Sequence, residues 1–212
     1  MNSDRRRPHL VAALLLLSSG FVPNPTAPRA DELNATRLLA SVITQACPDS
    51  RGEVTHPIKI VGAFTSMRFS GEHAYGYRVD LWRQDDRIFG IFMASQGLAG
   101  DTPTGLLEEV AYESGTGRLS FQARLTMGSV INSQHQNVPS RDLFRFAGTM
   151  SRDALRGALD ASDARTPESA PHREKIVLRR SAKESQVMSA PESCSQWARE
   201  VAEILKFRGP KW

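Results

Sequence analysis

The chain predicts a mainly β protein: an antiparallel meander of about eight strands that closes into a small up-and-down barrel, with two flanking helices. Three observations predict it. Apolar residues recur at period two through most of residues 58–180, stripes at helical spacing bracket that region, and two hairpins align so that one face is apolar and the other polar. A two-layer β-sandwich is the alternative closure.

The period-two runs are 58–69, 74–82, 87–95, 105–113, 118–126, 143–150, 154–161 and 174–180. Register can be tested on two of the turns. A turn at Gly115-Thr116 sets Tyr112 opposite Leu119, Val110 opposite Phe121 and Leu106 opposite Leu125, with Glu113 facing Arg118 on the reverse side. The same turn sets Glu108 opposite Ala123, on the apolar face. A turn at Arg152-Asp153 pairs Met150 with Leu155, Gly148 with Gly157 and Phe146 with Leu159, leaving Arg145 against Asp160. In "RIFGIFM" both sides are apolar, at Ile88, Phe89, Ile91 and Phe92, so a helix is expected outside that hairpin. Eight strands with short turns make the architecture of lipocalins and streptavidin, to which this chain is similar in architecture only.

Before the barrel region, Arg5-Arg6-Arg7 and "HLVAALLLLSSG" read as a secretory signal within residues 1–30, with cleavage expected near Gly20. Residues 31–47 carry Leu38, Leu39, Val42 and Ile43 at helical spacing up to Pro48. The barrel occupies 56–181, a polar linker 182–191, and a second amphipathic helix 192–208, with Trp197, Val201, Ile204 and Leu205 on one stripe. Cys47 and Cys194 close the first helix and open the second, a pair that reads as a disulfide in an oxidising compartment.

The formal charge is +4; residues 1–20 hold three Arg and one Asp, so +2 remains after the leader. Interspersed signs and a nearly neutral mature chain give no footprint for nucleic acid, and no integral membrane span is expected in the mature protein. The expected location is secreted or periplasmic. No nucleophile elbow, phosphate loop or CxxC motif is present, and no metal or cofactor is expected.

Glu108 breaks the apolar wall and is the candidate ligand anchor, with Tyr75, Tyr77 and Tyr112 as hydroxyl donors around it. Arg78, Asp80 and Trp82 share the opposite face of their strand and compose a candidate protein-interaction patch. His135, in the loop "NSQHQN", is a candidate lid residue. The expected function is an exported non-catalytic binding module, for a small apolar or amphipathic ligand or for an envelope or secreted protein. The rival is a secreted hydrolase or isomerase using Glu108 with His135.

Overall fold

The computed structural model describes residues 56–166 and 169–212. The export segment, the helix expected over 31–47 and the Cys47–Cys194 bridge lie outside the described residues.

Twelve strands form: β1 (Lys59–Thr65), β2 (Arg68–Ser70), β3 (His73–Gln84), β4 (Arg87–Leu98), β5 (Thr104–Leu106), β6 (Glu108–Glu113), β7 (Arg118–Leu125), β8 (Ser129–Ile131), β9 (Asn137–Pro139), β10 (Asp142–Met150), β11 (Ala154–Asp163) and β12 (His172–Arg180). Two helices follow, α1 (Ala182–Val187) and α2 (Cys194–Arg208). The main sheet runs β5-β4-β3-β1-β12-β11-β10-β7-β6, antiparallel throughout, with β2 beside β3.

The two ends of that order are consecutive in the chain. Residues 104–106 pair with β4 and residues 108–113 pair with β7, so one run bent at Leu107 serves both edges. Counted once, it gives eight strands in a nearly closed meander, matching the eight period-two runs. Gly105 permits the bend: a Cβ there would lie 2.2 Å from the Arg124 carbonyl oxygen. On the other side β1 and β12 join through two pairs, Phe64 with Arg180 and Thr65 with Arg179.

The Arg152-Asp153 register holds along the whole hairpin, from Asp142–Asp163 to Met150–Leu155. Gly148 faces Gly157 so closely that a Cβ on either would stand 2.7 Å from the other's Cα. The Gly115-Thr116 register holds only from Ala111 to Ser120. A bulge then intervenes at Glu109, whose φ is +50°, and Glu108 pairs with Gln122 instead of Ala123. One extra residue reverses which face each side chain takes. Leu107 therefore points into the core, while Leu106 pairs with Ile91 of β4 rather than Leu125 and joins the outer cluster.

Two apolar clusters result. The inner one fills the barrel around Phe92, Phe121, Phe144 and Phe146, with ring centroids 5.1–6.1 Å apart. The outer one sits beneath α2, where Trp197 and Val201 cover Trp82, Phe89, Ile91 and Leu106. Trp197 meets Phe89 edge to face at 4.9 Å. Helix α2 starts at Ser193, whose hydroxyl accepts from the Gln196 amide. Residues 182–191, expected as a linker, contain α1, capped in the same way by Ser181. Residues 127–142, which include the "NSQHQN" loop, contain the small hairpin β8–β9. No helix among the described residues is long and apolar enough to cross a membrane.

Candidate functional site

The carboxylate that enters the inner wall is Glu174, not Glu108. On β12 the buried Ile176 and Leu178 mark the inward face, and Glu174 lies two residues before them. Its Oε1 accepts a hydrogen bond of 2.5 Å from the Tyr77 hydroxyl. Tyr77 in turn stacks on Phe92 at 5.8 Å and meets Phe144 edge-on at 6.1 Å. Burial first, and then the Glu174 carboxylate, hold the Tyr77 phenol well above its ordinary pKa. The phenol thus stays protonated and acts as a donor.

Below this pair the barrel is closely packed: Phe92, Phe146, Leu81, Leu107, Leu119, Leu125, Leu155 and Leu159 are each under 2% exposed. Above it, Tyr75 and Leu98 continue the inner wall onto a lip where β3 and β4 outrun the barrel, and they are 48% and 58% exposed. His73 stacks on Tyr75 at 6.3 Å. Tyr112 packs inward opposite Leu119, near the turn that ends its hairpin. The three tyrosines do not gather around Glu108.

Because of the bulge, Glu108 lies on the outer face, where its Oε2 is 3.4 Å from a guanidinium nitrogen of Arg124. Burial raises the Glu108 pKa; Arg124 opposes that shift and neighbouring Glu109 adds to it. Arg124 also lies over the Trp212 ring, 5.4 Å from its centroid, and Trp212 Nε1 donates to the Leu125 carbonyl at 2.8 Å. Glu108 is thus part of the contact that holds residues 211–212 against β7.

The Arg78, Asp80 and Trp82 patch is covered by the chain itself. Asp80 and Trp82 are 5% and 9% exposed. Arg78 grips Asp80 with two bonds of 2.8 and 2.9 Å and also pairs with Glu184 of α1. Trp82 Nε1 donates to the Ser189 carbonyl at 2.9 Å. Burial raises the Asp80 pKa against the opposing pull of Arg78. The residues do make a docking surface, but its occupant is the segment from α1 to α2, so the expected external partner patch is corrected to an internal one.

His135 stands exposed at the tip of the β8–β9 hairpin with φ +59°. There Asn132 Oδ1 accepts from the Gln134 and Gln136 amides, which shapes the turn. No hydrogen bond joins His135 to Glu108, whose partner is Arg124. Among the described residues no three His, Cys, Asp or Glu side chains cluster as a metal site.

Sequence reasoning missed Glu174, Arg124 and the covering residues Glu184 and Ser189. Glu174 was readable: in "HREKIVLRR" the alternation that places Ile176 and Leu178 inward places Glu174 inward too. Glu184 and Ser189 carried no local signal, because their role depends on where the chain returns.

Compared with family models, curated proteins and solved structures, the chain has no match.

Proposed function

We propose that this chain is an exported, non-catalytic barrel that binds a protein partner on its outer surface. The observation that carries the reading is the filled interior: five rings and a shell of leucines occupy the space that a carrier of small apolar molecules reserves for its cargo. The basic and apolar run in residues 1–30 supports export. Glu108 engages Arg124 and His135 shapes an exposed turn, so neither supports the hydrolase or isomerase reading.

The test is photo-crosslinking from three exposed positions, Ala147, Ile131 and Phe69, in cells that export the full chain. A discrete protein adduct from any one of them is the expected result. Native mass spectrometry supplies the opposing result: a bound molecule of small mass, with no protein adduct, overturns the reading.

One observation favours a second reading, a small amphipathic ligand at the barrel mouth. Tyr75 and Leu98 present an exposed apolar lip just above the Tyr77–Glu174 pair. A ligand-induced rise in Tm that disappears in Tyr77→Phe is the result that supports it.

A further inference from the structure

Among the described residues no helix lies over the outer face formed by β7, β10, β11 and β12, and its side chains are sorted by row. Cross-strand pairing aligns Ala111, Ser120, Ala147 and Ala158 into one row of small residues across β6 to β11. Lys175 of β12 ends that row. The row on one side holds Glu113, Arg118, Thr149, Arg156 and Val177, and the row on the other holds Glu108, Gln122, Arg145, Asp160 and Arg173. All five of these Arg and Lys side chains are exposed. Arg173 engages Asp160 through two bonds of 2.7 and 2.8 Å, whereas Arg118, Arg156 and Lys175 have no ion pair among the described residues.

Small residues between long ones make a trough. The groove lined by Ala111, Glu113, Arg118, Ser120, Ala147 and Thr149 is about 560 Å³. The flanking rows are four residues apart along each strand, so they stand roughly 13 Å from one another. A helix with its side chains is about 10–12 Å across, and an extended segment is narrower. The three rows carry Arg118, Arg145, Arg156, Arg173 and Lys175 against Glu108, Glu113 and Asp160, and Glu108 is paired with Arg124, so the face is net positive.

We propose that this trough is the docking site for an acidic segment of the protein partner, its carboxylates taken by Arg118, Arg156, Arg145 and Lys175 and its apolar side chains by the alanine floor. The proposal rests on the partner-binding reading above. Charge complementarity identifies the occupant as anionic. The absence of any aromatic side chain from the three rows separates it from single-stranded nucleic acid, which stacks its bases on such rings.

Fluorescent poly-L-glutamate titrated into the full chain tests the proposal. Binding is expected to weaken by about tenfold between roughly 50 and 300 mM salt, as screening shortens the reach of the charges. Arg118→Glu with Arg156→Glu is expected to lose about tenfold or more, and Asp160→Asn to gain about twofold by freeing Arg173. Arg199→Glu with Lys206→Glu, the same charge change on exposed positions of α2, leaves binding within about twofold. Ala147→Trp keeps the charge, fills the floor and weakens binding by about fivefold. Equal losses in the two charge-matched variants overturn the trough in favour of bulk attraction. Tighter binding of a thymidine oligonucleotide than of polyglutamate gives the face to nucleic acid, and a crosslink from Ala147 to residues 1–55 of the same molecule gives it to the chain itself. Protein adducts from Ile131 or Phe69 without polyglutamate binding remove this proposal and leave the partner reading standing.

Discussion

The barrel has two outer faces built from the same kind of strand, and they end differently. Over β3, β4 and β5 the outward residues are Trp82, Phe89, Ile91 and Leu106, and α2 lies on them. Over β10, β11 and β12 the outward residues are Arg145, Ala147, Arg156, Ala158 and Lys175, and nothing described lies on them. The comparison teaches that cover is encoded in the strand. A strand apolar on both sides must be buried on both sides, while one that alternates apolar with charged needs no second layer.

The largest test of that difference is removal of the cover. Trp197→Ala empties a position that is 1% exposed and uncovers Phe89, so it is expected to lower stability by about 3–5 kcal/mol in urea unfolding. Trp197 Nε1 is buried without a hydrogen-bond partner, so Trp197→Phe is expected to recover most of that loss. A loss of less than about 1 kcal/mol in Trp197→Ala means that α2 does not hold the sealed face.

A smaller effect comes from beneath the bare face. Gly148 and Gly157 let β10 and β11 approach, and a methyl on Gly148 meets the Arg156 carbonyl oxygen at 2.2 Å. The neighbour is backbone and cannot swing aside. Gly148→Ala is expected to cost about 1–3 kcal/mol by forcing the strands apart. A neutral result in thermal unfolding means the hairpin relaxes more freely than its complete register implies.

These elements also show how much was legible in advance. The eight runs, the turn at Arg152-Asp153 and the helix over "RIFGIFM" followed from alternation, because each depends on residues close in sequence. The position of Glu108 did not follow. Its face depends on a single bulge at Glu109, a residue whose left-handed backbone nothing in "LLEEVAY" announces. The Arg78, Asp80 and Trp82 patch had the right composition for docking, but its partner lies about a hundred residues further along the same chain.

The margin of the sealed face gives a pH-dependent test. Burial places the folded-state pKa of Glu108 above its unfolded value, so the stability it contributes is fully present below the unfolded pKa near 4.5 and lost as pH rises through the folded one. At neutral pH the ionised carboxylate therefore opposes folding. Glu108→Gln is expected to be at least as stable as the parent at pH 7, with the parent regaining ground as the pH falls toward 4.5. Urea unfolding at both values checks this, and the opposite trend means that Arg124 outweighs burial.

The smallest expected effect is on the bare face. Arg156 is exposed, pairs across the strands with Thr149 and Val177, and has no ion pair among the described residues. Arg156→Ser removes no buried contact and leaves the pleat intact, so stability is expected to change by less than about 0.5 kcal/mol. Its inward neighbour Leu155 is fully buried, and Leu155→Ala one residue away is expected to cost about 2–5 kcal/mol. A bare face retained for a partner is free of folding constraint, so the contrast between adjacent positions is its signature. If Arg156→Ser instead destabilises the chain by more than about 1 kcal/mol, the arginine is holding part of this molecule, and the face is sealed like the other.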